Sequence, residues 1–429
     1  MSNLSADYEI RRFQAAATDD PAYAESVAWM RAVAFGIHDA RRSDERVDKS
    51  IELQRTDGRV LTGVYQVGTV AGHSLGADVP VATFGTMTKT LNIGFGRLLD
   101  TRLVTAVTVR TSHRRRGLLR RMMGEALARE EGLAMAALTA SEASIYGRFG
   151  FGVATSEQGR EDGHHGGFPA QPHPGGQRRG GRPQSAAGPG SGGLRPPAPQ
   201  HARIHRPARV LPAVRLGIRQ PRRGRRPEGQ GGVALRAGGD VDGYVSYRFA
   251  GWSSTPYTME VVDLVAATGA AYLELWQYLA AIDLVDRITW EEAPVDDTLR
   301  WALEDARCVE ASEARDMLWL RILDVKRALE ARHYPADGRL VLNVADSLGL
   351  TGGTFTVDAE GGGAVVTSGG GGAPDLELDV AALSAIYLGG VSPVTLAASG
   401  RILEHTPGAA FRAARMFAVE RPPHCLTHF

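Results

Sequence analysis

The pattern of hydrophobic and polar positions changes period several times along the 429 residues of the chain. Over Ala24–Phe35, the residues Val27, Met30, Ala34 and Phe35 recur at helical spacing, which predicts an amphipathic helix. Arg59–Val67 and Pro80–Met87 have the composition of strands, and Val104–Val109 alternates small and β-branched residues, again a strand pattern. Over Gly117–Glu131, Leu118, Met122 and Ala126, with Leu119, Met123 and Leu127 beside them, form one apolar stripe, so a helix follows that strand at once. Met135–Thr139 predicts a further strand, and Ser144–Phe149 a short helix ending at Gly150. From Val233 onward the pattern predicts strands at Gly243–Phe249, Met259–Ala266, Leu340–Asp346, Thr354–Asp358 and Ala364–Thr367. It predicts helices at Gly269–Ile282, Ser312–Glu330, Val380–Tyr387 and Ala409–Phe417. Strands and helices mixed in this way predict an α/β (α+β) fold, and the length predicts two or three domains.

One stretch breaks the pattern. Gln158–Gly232 holds 17 Gly and 12 Pro, and before Ile204 its only large apolar residues are Phe168 and Leu194. Such a composition buries too little surface to offset the entropy of ordering. The same stretch holds 14 Arg, no Lys and 3 acidic residues, so the net charge of +1 conceals a segment at +11 and a remainder at −10. Two explanations stand side by side: a basic linker, or a stretch of a GC-rich gene translated out of frame. Structureless inserts of this length inside a compact enzyme are uncommon. Resequencing the gene separates the two explanations. With Phe168 as its only aromatic residue, the segment offers little for base stacking, so no specific nucleic-acid partner is expected.

The composition of the whole chain, 43% hydrophobic and 23% charged, is that expected of a soluble protein without a membrane span. Met1 to Arg12 lacks the apolar centre of a secretory signal. Cys308 and Cys425 form no metal-type pair, which points to a reducing, cytoplasmic setting. No His, Cys or Asp cluster has metal-ligand spacing, so no metal is expected.

The chemistry concentrates in residues 104–127. A strand, Val104–Val109, is followed by Arg110-Thr111-Ser112-His113, then by Arg114-Arg115-Arg116-Gly117-Leu118-Leu119-Arg120 at the start of a helix. A helix N-terminus carries unpaired N–H groups and the positive end of the dipole, which suits a pyrophosphate. Gly117 lets phosphates approach the backbone, and the arginines add charge. The bland alternative is a solvated basic helix start.

This arrangement resembles the acetyl-CoA motif of the GNAT superfamily of N-acetyltransferases, Gln/Arg-x-x-Gly-x-Gly/Ala, matched here as Arg114-Arg115-Arg116-Gly117-Leu118-Leu119. Leu119 departs from the Gly or Ala of the pattern. Leu138-Thr139-Ala140-Ser141-Glu142 and Ile145-Tyr146-Gly147-Arg148-Phe149-Gly150 narrow the resemblance to the enhanced intracellular survival (Eis) family. The resemblance covers most of 1–157 and 233–429 and fails over 158–232.

The resemblance implies tandem acetyltransferase-like domains and a sterol-carrier-like domain. The first would span 1–157, the rest of the second 233–311 and the third 312–429, with 158–232 as the anomalous segment. It implies acetyl-CoA as co-substrate, held by Val107, Thr108 and Val109 on the strand, by Arg115, Arg116, Gly117, Leu118, Leu119 and Arg120 at the turn, and by Ser141 and Glu142. Ser141 and Glu142 could instead cap the following helix. Tyr146 would be the general acid, and the C-terminal carboxylate of Phe429 the general base, with His428 beside it. Without its motif, Tyr146 would simply be a buried aromatic residue. The acceptor would be a primary amine of an aminoglycoside-like, polyamine or lysine-containing molecule, in an acidic pocket for which Asp39, Asp44 and Glu45 are candidates by position. A homohexamer is also implied. The rival functions are a lipid- or sterol-binding module and the inactive product of a frameshifted acetyltransferase gene.

Overall fold

The computed structural model describes residues 7–40, 42–68, 75–129, 132–140, 142–163, 230–235, 241–369 and 372–429. Most of the Gly/Pro/Arg-rich stretch lies outside them, but its two margins are strands. In chain order, the first group of strands is β1 (Tyr8–Gln14), β2 (Val60–Gln66), β3 (Ala82–Asn92), β4 (Leu98–Val109), β5 (Met135–Thr139) and β6 (Gly152–Val153). The second is β7 (Ser156–Gly163), β8 (Gln230–Leu235), β9 (Val241–Phe249), β10 (Thr258–Ala266), β11 (Arg287–Pro294) and β12 (Val309–Asp316). Then come β13 (Leu318–Ile322), β14 (Gly338–Ala345), β15 (Gly353–Glu360), β16 (Gly363–Ser368), β17 (Leu376–Asp379) and β18 (Ile402–Glu404).

These strands form three mixed sheets, ordered β1-β2-β3-β4-β5-β13-β6, β12-β7-β11-β10-β9-β8 and β16-β15-β14-β17-β18. Each contains one parallel pair, β4–β5, β10–β11 and β14–β17 respectively. β13 leaves the second sheet behind and inserts between β5 and β6 of the first.

That insertion overturns the helix expected over Ser312–Glu330. The stretch is instead β12, β13 and a short helix, Val325–Ala331, capped by Asp324, whose carboxylate accepts the Arg327 N–H. All five residues of β13 are buried. Leu318, Leu320 and Ile322 enter the core shared with Leu383, Ile386 and Tyr387 of the third sheet's helices, while Trp319 enters the core under the helix Leu118–Leu127. A strand covered on both faces loses its visible alternation, so its apolar run looks like part of a helix.

The apolar stripe of the Leu118–Leu127 helix buries Leu118, Met122, Met123, Ala126 and Leu127. They pack with Val104 of β4 and with Ala136 and Leu138 of β5. Burying each large side chain contributes about 1.5–3 kcal/mol, so the stripe fixes the helix across the parallel pair and aims its N-terminus at the end of β4.

Candidate active site

The site begins with two irregularities in β4. Pairing with β3 runs as far as Gly85↔Thr105 and resumes at Thr83↔Thr108. Ala106 and Val107 therefore oppose Phe84 alone, which makes a bulge, with Ala106 at φ 50°. Thr83 secures it. The Thr83 hydroxyl donates to the Ala106 carbonyl at 2.8 Å, so in its 2.7 Å contact with Thr108 Oγ1 it accepts. On the other edge, the ladder with β5 consists of Arg102↔Ala136 and Leu103↔Ala137. Beyond that point β4 runs on to Val109 without pairing to β5, and a cleft opens between the two strands.

The turn after β4 points the chain into the helix. Arg110 anchors it: its N–H donates to the Val81 carbonyl at 2.8 Å, and its guanidinium reaches the Pro80 carbonyl at 3.2 Å. Arg115 (φ 61°) and Gly117 (φ 80°) then adopt left-handed backbone. Gly117 is the N-cap, and no side chain caps the helix, so its first N–H groups remain available to an anion. Arg114, Arg115, Arg116 and Arg120 are exposed around it. His113 lies beside them, its pKa pushed below the usual value by burial and then by Arg116 and Arg110. It is therefore neutral at pH 7. One consistent arrangement has Nε2–H donating to Gln66 Oε1 at 3.2 Å and Nδ1 accepting from Ser112 at 2.9 Å.

A cavity of about 1020 Å³ occupies the cleft. Val107, Thr108 and Val109 line it from β4, and Arg115, Gly117, Leu118, Leu119 and Arg120 from the turn and helix. Glu142 and Tyr146 line it from beyond β5. Tyr146 closes the one-turn helix Ala143–Tyr146 and packs edge-on against Phe151, with ring centroids 6.2 Å apart. Its phenol is half-buried, and burial first and the Glu142 charge second raise its pKa above the ordinary tyrosine value. It is thus a protonated donor across the neutral range.

Three expected site residues stand apart. Arg116 is not on the cavity wall, and its charge bears on His113 instead. Ser141 lies outside the described residues. Phe429 is half-buried against the core of the third sheet and does not line the cavity. The tail before it is held on β11: His424 Nε2 donates to the Glu292 carbonyl at 2.9 Å, and His428 Nε2 lies 3.0 Å from Glu292 Oε1. The acidic candidates also lie off the wall. Asp39 pairs with Arg42 at 2.9 Å, Asp44 with Arg31 at 3.0 Å, and Glu45 is exposed on the helix Asp44–Thr56.

Other wall residues had no motif to announce them. Gly36, Ile37 and His38 come from the end of the helix Tyr23–Gly36. A Cβ on Gly36 would meet the Thr108 side chain at 2.5 Å, so glycine is what lets the helix end close over β4. A glycine at the end of an amphipathic stretch was the available signal. Ser347 and Leu348 come from the third sheet, some 200 residues away in sequence from Tyr146.

Among the described residues, no group of three or more His, Cys, Asp or Glu could hold a metal ion. No described helix is long and apolar enough to cross a membrane.

The chain is similar to known proteins along most of its length. Residues 27–154 and residues 211–322 match acetyltransferase (GNAT) domain families, and residues 325–426 match the sterol carrier protein domain. An uncharacterized N-acetyltransferase of Streptomyces avermitilis is 36% identical over 430 residues, covering 94% of this chain and 96% of that protein. The N-acetyltransferase Eis of Mycobacterium bovis is 32% identical over 397 residues, covering 86% and 89%. The crystal structure of Eis1 from Mycobacterium abscessus superposes with a TM-score of 0.72 at 26% identity, covering 98% of this chain and all (100%) of that one. With its open β4 edge, uncapped Arg/Gly helix start and cavity-lining tyrosine, the chain belongs to the Eis family of GNAT N-acetyltransferases.

Proposed function

We propose that the cavity binds acetyl-CoA and that the enzyme passes the acetyl group directly to a primary amine of an aminoglycoside-like, polyamine or lysine-containing acceptor. The observation that carries this is the meeting, in one cavity, of the unpaired β4 edge, the uncapped helix N-terminus and Tyr146. The pyrophosphate would sit on the N–H groups of the helix start, with Arg115 and Arg120 beside it. The pantetheine arm would pair with β4 along Val107–Val109, as a strand would, and a β4 N–H would polarise the thioester carbonyl.

The deprotonated amine attacks the carbonyl carbon and forms the C–N bond. Collapse of the tetrahedral oxyanion breaks the C–S bond, and the Tyr146 phenol proton goes to the leaving thiolate. The amine proton goes to a base. The carboxylate of Phe429 is assigned to that role on the family resemblance. Because it does not line the cavity, it would act through solvent or once the acceptor has filled the site.

Thiol release from acetyl-CoA in the presence of kanamycin or spermidine tests the reaction. Amine-dependent release with acetylated acceptor as product is expected, and its absence from folded protein would overturn the proposal. Removing Phe429 should reduce turnover without changing acetyl-CoA affinity. Unchanged turnover would remove Phe429 from the mechanism and leave the coenzyme site standing.

A further inference from the structure

One buried ion pair joins the two walls of this cavity. Arg321 of β13 lies 2.8 Å from Asp346, and both side chains are fully (0%) withdrawn from solvent. Asp346 directly follows β14 and organises the loop that comes next. Its Oδ1 accepts the Leu348 N–H at 3.2 Å, and its Oδ2 accepts those of Leu350 at 2.8 Å and Thr351 at 3.0 Å. A carboxylate that accepts one guanidinium and three amides has no remaining freedom, so the loop takes one shape. The loop places Ser347 and Leu348 on the cavity wall.

The other side of Arg321 presses on the Tyr146 turn. Gly150 has φ +78°, and a Cβ there would meet Arg321 Nε at 2.9 Å and Cζ at 3.0 Å. Gly150 N–H donates to the Gly147 carbonyl, and Phe151 N–H to that of Tyr146, so this turn carries Tyr146 and Phe149 as a unit. The Arg321 guanidinium, with Val380, therefore packs close beneath the turn that carries the acid, and it pairs with the carboxylate that shapes the loop facing it.

The chemistry of the loop decides what it meets. A protonated polyamine would find no counter-charge in Ser347 or Leu348, and both oxygens of Asp346 are committed. Leu348 instead lines the cavity with Val107, Leu119, Ile145 and Tyr146, each of them packed against one apolar core. That surface suits the apolar arm of a thioester coenzyme.

We infer that the sterol-carrier-like region completes the coenzyme site of the first domain: Leu348 covers the pantetheine arm of acetyl-CoA, and the Arg321–Asp346 pair is the positioning unit that holds Leu348 opposite Tyr146. This rests on the cavity being the acetyl-CoA site. The region would then act in catalysis through the coenzyme as well as through the chain's C-terminus.

The test uses the full-length protein and acetyl-CoA itself. Leu348→Asp, a change at a half-buried loop position, should raise the acetyl-CoA Kd and KM about tenfold, the size expected from uncovering one leucine. The amine KM should stay within about twofold on the same scale, and Leu348→Met should restore wild-type affinity. Asp346→Ala, checked for an intact fold by its melting transition, should reproduce the rise in acetyl-CoA KM. An unchanged acetyl-CoA Kd in folded Leu348→Asp, or a rise confined to the amine KM, overturns the inference. Failure of the wild-type protein to bind acetyl-CoA at all would instead refute the proposed coenzyme site, which separates the two outcomes.

Discussion

The first and second sheets follow one plan and differ at one turn. Each has a single parallel pair in an otherwise antiparallel order, a helix joining the two strands of that pair, and a bulge where the first strand meets its antiparallel neighbour. In the first, the joining helix starts at a left-handed Gly117 among arginines, with no side-chain cap. In the second, the helix Gly269–Ala280 starts behind Thr268, whose hydroxyl accepts the Ala271 N–H at 3.1 Å and lies 3.4 Å from Asp242. No arginine stands between Val265 and Tyr272. A hydroxyl and a carboxylate occupy the place where the first turn presents free amides and positive charge. Nearby, Trp276 and Trp290 approach to 6.2 Å within the core. The sheet plan provides a place for a cleft, and the chemistry of a single turn decides whether an anionic coenzyme can use it.

If the chemistry belongs to the first sheet alone, the largest effect should come from its tyrosine. Tyr146→Phe removes the proposed proton donor and keeps the ring, so kcat should fall about 10²–10⁴-fold, the usual contribution of a positioned general acid. Acetyl-CoA KM should barely change. Tyr272→Phe makes the same change in the helix behind the second sheet, where Tyr272 lies half-buried beside Asp297. It should leave kcat near the wild-type value. Equal losses from the two substitutions, measured by thiol release, would break the comparison.

A smaller effect should separate the two helix starts. Gly117→Ala puts a methyl on a left-handed residue, which costs about 1–2 kcal/mol in backbone strain, and crowds the phosphate position. Acetyl-CoA KM should rise on the order of tenfold. Gly269→Ala should leave that KM unchanged, because a Cβ at Gly269 meets nothing within 4 Å. A shift in both variants would assign coenzyme binding to both sheets, and a shift in neither would remove the helix start from the site.

The difference between the two turns is also where sequence was most informative. The strand, the Arg114–Gly117 turn and the stripe from Leu118 to Leu127 are contiguous, so their joint meaning survives without tertiary information. The bulge at Ala106 was hidden, because it depends on Thr83 and on the register with β3. The open edge of β4 depends on where β5 stops pairing, which no local pattern records. β13 was mistaken for helix because both of its faces are covered, and with it went the place of Arg321 beneath the Tyr146 turn. Ser347 and Leu348 carry no motif; only the Asp346 carboxylate, gathering three loop amides, brings them to the wall. Phe429 was legible only through resemblance, and the structure leaves it off the cavity wall.

The smallest expected effect concerns what tunes Tyr146. Its phenol is raised above the ordinary value by burial first and by the Glu142 charge second. A raised acid pKa means that the donor form persists to higher pH, so the alkaline limb of kcat should lie above that of an ordinary tyrosine. Glu142→Gln removes the negative charge, which makes the phenolate easier to form, so the limb should move to lower pH. The shift should be modest, because Glu142 is exposed and the surrounding salt screens its field. Two controls keep the argument specific. The acceptor must have an amine that titrates well below Tyr146, so that its own deprotonation does not overlap the limb. The wild-type limb should also move down toward that of the variant in 1 M salt, where the Debye length is about 3 Å. An alkaline limb that moves up in Glu142→Gln would overturn the sign of the Glu142 effect, and one that stays fixed would show that burial alone sets the acid. Tyr146 would then differ from Tyr272, whose phenol is raised by burial and by the Asp297 charge together.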